Sequence, residues 1–183
     1  MKNRGVAMRT RHKALTALAV LAAALGVITG QAALAAPEAA PPAYPPGTQV
    51  TIETFAAKCF DVRNQDSGSP VVQADCDSTS RTQRFWVNTV AGGVELRTAA
   101  NLCLDLEAAR RGNNTKIIQY PCGALPRFTQ TFLTFPAGTG LSTIHTIDLR
   151  CFDVENADEA AGAGIIQYGC SGDSNQNFKL REI

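Results

Sequence analysis

The chain has 183 residues, room for one domain of ordinary size and scarcely for two. Charged residues make up 18% and the formal net charge is +1, so no overall polyelectrolyte character recruits nucleic acid or a membrane surface. Five of the 17 basic residues lie in the first 13 positions (Lys2, Arg4, Arg9, Arg11, Lys13); without that acid-free segment 12 basic residues face 16 acidic ones. A net of −4 disfavours phosphate backbones further.

Met1 to Lys13 reads as a basic n-region, and Ala14 to Gly30 as the apolar stretch of a secretory signal. Ala33-Leu34-Ala35 supplies a small-x-small cleavage site, which sets the signal at 1–35 and the mature start at Ala36. An uncleaved anchor is the competing interpretation, because the uncharged run continues to Ala36. With cleavage the product is secreted and inserts in no membrane. Residues 36–47 hold Pro37, Pro41, Pro42, Pro45 and Pro46 among alanines, an extended tether with no core-forming pattern.

All six cysteines follow, at 59, 76, 103, 122, 151 and 170, in an exported chain where disulfides persist. Short and long gaps alternate, which selects Cys59–Cys76, Cys103–Cys122 and Cys151–Cys170. Each bond closes a loop worth about 3 kcal/mol in the chain-entropy account. No C-x-x-C pair exists, and His145 is the one histidine beyond His12, so metal-ligand spacing is absent and no metal or cofactor is expected.

The sequence around the cysteines recurs three times. Cys59-Phe60-Asp61-Val62, Cys103-Leu104-Asp105-Leu106 and Cys151-Phe152-Asp153-Val154 are one motif, Cys-apolar-Asp-apolar. Val71-Val72-Gln73-Ala74, Ile117-Ile118-Gln119-Tyr120 and Ile165-Ile166-Gln167-Tyr168 precede the second cysteines, and Gln83-x-Phe85, Gln130-x-Phe132 and Gln176-x-Phe178 follow them. Seven residues before each first cysteine stands Ile52, Leu96 or Ile144. Gly, Asn, Asp and Ser clusters separate short apolar segments, and no sustained helical period appears after the signal. The class is therefore all-β, with about four strands per copy, near 44, 58, 71 and 85 in the first. One copy cannot bury its apolar face alone, so the three close around a shared core. The three Gln-x-Phe phenylalanines and the three aliphatics are the expected core.

These motifs resemble the ricin B-type lectin β-trefoil, also found as a carbohydrate-binding module of secreted bacterial glycosidases. The resemblance covers 48–183 and implies three lobes, about 48–90, 91–138 and 139–183. It departs in having Phe where the third motif usually carries Trp, a change that keeps the core and alters its packing.

A geometric expectation for a site stands beside the resemblance. If each disulfide faces across two antiparallel strands, Asp105 lies opposite Tyr120 and Asp153 opposite Tyr168, with Cβ atoms about 5 Å apart. A carboxylate takes hydrogen bonds from neighbouring sugar hydroxyls, and a ring face takes the apolar side of a pyranose. The resemblance adds Asn175, with Gln176 as orienting neighbour, and Gln130 in the second repeat. There Thr129 replaces the asparagine, and in the first repeat Asp61 remains while Ala74 and Thr82 replace aromatic and asparagine. The expected order of strength is third, second, first. A glutamine common four residues before the second cysteine is Val72, Ile118 and Ile166 here, and the adjacent Gln73, Gln119 and Gln167 point to the opposite strand face.

Structural roles compete with each of these. The aspartates can cap turns, and the Gln-x-Phe glutamines can be buried amides bonding backbone. Trp86 reads as packing and His145 as an exposed strand residue. Asn113-Asn114-Thr115 is a glycosylation acceptor only in a host that reads it. No nucleophile-elbow motif exists, Gly138-Thr139-Gly140 and Gly162-Ala163-Gly164 complete no phosphate fingerprint, and no length remains for a catalytic domain. The expected function is non-enzymatic binding of galactose- or xylose-type sugars or polysaccharide, with a separate secreted enzyme as an open partner. The alternative is a protein-interaction module, inhibitor-like or toxin-subunit-like.

Overall fold

The computed structural model describes residues 44, 45 and 47–183; the signal segment 1–35 and most of the 36–47 tether lie outside them. The first repeat contributes β1 (Thr48–Glu53), β2 (Lys58–Asp61), β3 (Val72–Asp75) and β4 (Phe85–Val90). The second contributes β5 (Gly93–Arg97), β6 (Cys103–Leu106), β7 (Thr115–Tyr120) and β8 (Phe132–Pro136). The third contributes β9 (Ser142–Thr146), β10 (Cys151–Val154), β11 (Ile165–Tyr168) and β12 (Lys179–Glu182). The first strand begins later than the spacing suggests. Tyr44 and Pro45 lie in no strand, and the Pro45 carbonyl accepts from both the amide and the hydroxyl of Thr48.

Period-two alternation builds the barrel. Val50 and Ile52 in β1, Phe85 and Val87 in β4, and Val94 and Leu96 in β5 turn inward, while their neighbours are only partly buried. β1 pairs with β4, β4 with β5, β5 with β8, β8 with β9, and β12 with β1, all antiparallel. A bridge between Ser142 and Phe178, the residue just before β12, joins it to β9 and closes the ring. Closure removes the open edges through which sheets aggregate.

Three hairpins, β2–β3, β6–β7 and β10–β11, cap one end. They meet through β7–β11 pairing and through Val71, whose amide donates to Ile117 O while its carbonyl accepts from Ile165 N. Barrel plus triangular cap is a β-trefoil. Inside it lie the expected core residues Ile52, Leu96, Ile144, Phe85, Phe132 and Phe178, all buried. Phe60, Leu104 and Phe152 join them from the hairpins. The Phe60 ring stands 5.1 Å from Phe178 and 6.4 Å from both Phe85 and Phe152, and Phe132 meets Phe152 edge-on at 4.9 Å. Phe60 and Phe152 stack while the other pairs meet edge to face, both favourable aromatic arrangements.

The three disulfides pair as the alternation of gaps requires, Cys59–Cys76, Cys103–Cys122 and Cys151–Cys170. Among the described residues no helix is long and apolar enough to cross a membrane.

Candidate functional site

Alternation in the hairpins sends Leu104 and Leu106 to the core and Asp105 to the other face, and it does the same for Asp153 between Phe152 and Val154. Short 3-10 segments, Arg127–Gln130 and Ser174–Gln176, pack over these aspartates, which are therefore buried although they stand on the outward face. Each segment carries a glutamine aimed at the carboxylate. Gln130 Nε2 donates to Asp105 Oδ2 at 2.8 Å and to Pro121 O, while its Oε1 accepts from Gly123 N. Gln176 Nε2 donates to Asp153 Oδ2 at 2.7 Å and to Gly169 O, while its Oε1 accepts from Ser171 N. Gln83 repeats the pattern on Asp61 with a longer contact of 3.2 Å. Each glutamine spends both ends of its amide on the protein, so it orients a carboxylate.

Asn175 distinguishes the third repeat. Its Nδ2 donates to Asp153 Oδ1 at 2.9 Å and to Val154 O at 3.3 Å. In the second repeat Thr129 stands in that place and turns its hydroxyl to Pro126 O. Asp105 Oδ1 is consequently buried without a hydrogen-bond partner among the described residues, as is Asp61 Oδ1. A buried carboxylate oxygen beside a cavity leaves room for a ligand donor, because leaving it unpaired is costly. Burial pushes the Asp153 carboxyl above its ordinary range; donation by Gln176 and Asn175 opposes this, and nearby Asp173 adds to it.

The register differs from the facing-cysteine expectation. Cys103 pairs with Tyr120 and Cys151 with Tyr168, so Asp105 lies opposite Ile118 and Asp153 opposite Ile166. The second cysteine of each pair lies two residues beyond the strand partner of the first, and the bond reaches back diagonally. A shift of two conserves the face, whereas a shift of one inverts it. Tyr120 and Tyr168 therefore remain on the aspartate side, one diagonal step away, 43% and 41% exposed, with rings available to a ligand.

Each aspartate and its tyrosine open into one cavity. The third-repeat cavity, about 660 Å³, includes Asp153, Tyr168, Asn175 and Gln176, floored by Ile166. The second-repeat cavity, about 330 Å³, includes Asp105, Tyr120 and Thr129, floored by Ile118. Gln130 lies beneath it, bonded to Asp105. Asp61 has no ring beside it: Ala74 is buried in the tyrosine position, and Arg63 Nε stands 3.7 Å from the carboxylate. A further cleft of about 670 Å³ lies by the first disulfide, near Gln49, Arg84 and Ile183, and contains none of the aspartate–tyrosine sets.

Sequence reasoning missed the cavity walls. Ala108 and Ala109 wall the second cavity and Asn156 and Ala157 the third, all four in the left-handed region with φ of 51°, 53°, 58° and 51°. The available signal was Glu-x-Ala, at Glu107-Ala108-Ala109 and Glu155-Asn156-Ala157, which the first repeat replaces with Arg63-Asn64-Gln65. Asn114 of the second repeat also lines the third cavity, a contribution across repeats that no single copy reveals. His145 is half-buried, in contrast to the exposed position expected: its ring packs 4.7 Å from Phe135, Nε2 meets Thr143 Oγ1 at 2.8 Å, and burial lowers its pKa. Among the described residues, two groups are compact enough for a metal, His145 with Cys151 and Cys170, and Glu95 with Cys103 and Cys122. Both rest on disulfide sulfurs, which offer no thiolate.

The result is a closed β-trefoil with two glutamine-held carboxylates beside half-exposed rings. The chain belongs to the family of the ricin-type beta-trefoil lectin domain, whose family model matches residues 48–178. Among solved structures it is similar to the designed 3-fold symmetric protein ThreeFoil (26% identity, TM-score 0.69, covering 74% of this chain and 99% of that one). It is also similar to 1,3Gal43A, an exo-beta-1,3-galactanase from Clostridium thermocellum (22%, TM-score 0.70), covering 77% of this chain and 31% of that one. The Macrolepiota procera ricin B-like lectin, solved in complex with lactose, matches at 13% identity and TM-score 0.65, covering 78% of this chain and 100% of that one. No curated protein matches significantly.

Proposed function

We propose that this protein is a secreted, non-catalytic carbohydrate-binding protein whose second and third repeats each hold a galactose- or xylose-type sugar. The observation that carries this reading is the twice-built set of a buried aspartate fixed by a glutamine, beside a half-exposed tyrosine, in a cavity. In the third repeat Asp153 accepts from sugar hydroxyls, Tyr168 stacks on the apolar ring face, Asn175 adds a polar contact, and Gln176 holds Asp153. Asp105, Tyr120 and Gln130 do the same in the second, without the asparagine. The lactose complex of the Macrolepiota lectin supports testing galactosides first. Single sites of this kind are weak, and retention on a polysaccharide comes from two engaging together through effective concentration.

The test is binding of the oxidised 36–183 protein to lactose, N-acetylgalactosamine, xylose and insoluble galactans and xylans. Binding that the Asp153→Ala/Asp105→Ala protein loses supports the reading. A folded, disulfide-bonded protein that binds none of them moves the function to protein recognition, a reading that the first repeat favours through Arg63 at Asp61.

Acid weakens the third site early. Asp153 accepts two hydroxyls only when ionised, and its pKa is raised, so affinity falls as pH drops through a range above that of an ordinary carboxylate. The stability sign is the reverse: the fold holds this proton more tightly than the unfolded chain, so stability is lost as pH rises through the same window. Lactose titrations of the Asp105→Ala protein between pH 7 and 4 check it, and an affinity flat across that interval contradicts it.

A further inference from the structure

The glutamine of each β3, β7 and β11 strand is buried on the core face, opposite the face that carries its repeat's aspartate. Gln73 Nε2 donates to Asp158 O at 2.7 Å and Ala160 O at 2.9 Å. Gln119 Nε2 donates to Asn64 O at 2.8 Å and Asp66 O at 2.9 Å, and Gln167 Nε2 to Arg110 O at 3.1 Å and Gly112 O at 2.8 Å. The pattern is cyclic: each glutamine clamps two carbonyls in a loop of a neighbouring repeat. First-repeat Gln73 holds the third-repeat loop, third-repeat Gln167 the second, and second-repeat Gln119 the first.

Two of the clamped loops form cavity walls. Asp158 and Ala160 follow directly on Asn156 and Ala157, and Arg110 and Gly112 on Ala108 and Ala109. Those walls carry consecutive left-handed non-glycine residues, a conformation unfavourable by about 1 kcal/mol or more per residue that persists only where the surroundings fix it. Among the described residues, the first-repeat loop clamped by Gln119 has no non-glycine residue of this kind between Val62 and Ser69. Strain and clamp thus coincide where a cavity exists.

From this we infer that Gln73 is a positioning residue for the third-repeat cavity and Gln167 for the second, so that each sugar site is shaped by a glutamine from a different repeat. This rests on the proposed binding role only for its affinity consequence; the loop restraint stands without it.

The experiment uses Gln73→Met and Gln167→Met, which keep length and remove the donor, each in an Asp105→Ala background that reports the third site and an Asp153→Ala background that reports the second. Lactose is the probe, and amide hydrogen exchange is followed in parallel. Gln73→Met weakens lactose binding about tenfold in the Asp105→Ala background, the scale of one or two lost hydrogen bonds, and leaves the Asp153→Ala background unchanged. Gln167→Met does the reverse, although it lies in the third repeat. Exchange accelerates across 155–163 in the first variant and across 107–113 in the second. Equal effects of either variant on both sites, or unaltered exchange in both loops, overturn the inference. If the parent protein binds no lactose, the proposed function fails while exchange alone still decides the loop restraint. Should the methionine variants not fold, Gln73→Leu and Gln167→Leu, which are shorter and also lack the donor, replace them.

Discussion

The Asp153→Ala protein binds lactose at its third-repeat site about 10- to 100-fold more weakly than the parent, the cost of one charge-assisted hydrogen bond to a ligand hydroxyl. The effect is large because this carboxylate is held from both sides, by Gln176 on Oδ2 and Asn175 on Oδ1, so little ordering remains to be done when a sugar arrives. Asp105→Ala has a smaller effect on the whole protein, since its cavity is about 330 Å³ against about 660 Å³ and no asparagine completes it. Asp61→Ala changes little: no ring stands beside that carboxylate, and Arg63 already faces it. Calorimetric titration of the three variants, each checked for folding by circular dichroism, gives the ranking. Equal losses from all three, or none from Asp153→Ala, refute it.

Phe60→Ala destabilises the fold by about 3–5 kcal/mol, the usual range for removing a buried phenyl ring. Phe60 sits where the hairpin cap meets the barrel and contacts Phe85, Phe152 and Phe178, which draws all four rings from two different repeats into one cluster. Deleting it leaves a void between repeats that backbone closed by three disulfides and a barrel collapses into poorly. A domain of this size has about 5–15 kcal/mol in all, so the variant unfolds at much lower urea with its disulfides intact. Phe60→Leu, which keeps most of the volume, costs about 1.5 kcal/mol or less. A midpoint for Phe60→Ala within error of the parent contradicts the central place given to this ring.

Features that repeat in step along the chain were legible in the sequence; features that depend on three dimensions were not. The cysteine pairing follows from alternating gaps, and Phe85, Phe132 and Phe178 stand in the core, each two residues after the glutamine that recurs behind the second cysteine. The opposite-face assignment of Gln73, Gln119 and Gln167 follows from strand parity alone, and all three are buried there. Register was not legible. Cysteine spacing fixes that two strands are joined, yet not whether the bond runs straight across or diagonally, and Ile118 and Ile166 consequently lie where the tyrosines were expected. The left-handed walls at Ala108, Ala109 and Ala157 were also hidden, because alanine has no propensity for that conformation and adopts it only under tertiary restraint. Asn114 was beyond reach for another reason: its place in the third cavity depends on how repeats meet.

The partnership of β1 with β12 orders events in time. Val50 pairs with Glu182, so the barrel spans almost the whole domain before its ring can close, whereas each disulfide joins residues only 17 or 19 positions apart. Short loops close at small entropic cost and long ones at greater cost. Hairpins and their sulfur bridges can therefore form while the chain is still incomplete, but the barrel waits for its last strand. Until then the phenylalanines that will fill it remain accessible to water and to other chains, and exposure to aggregation lasts until β12 is available to pair with β1.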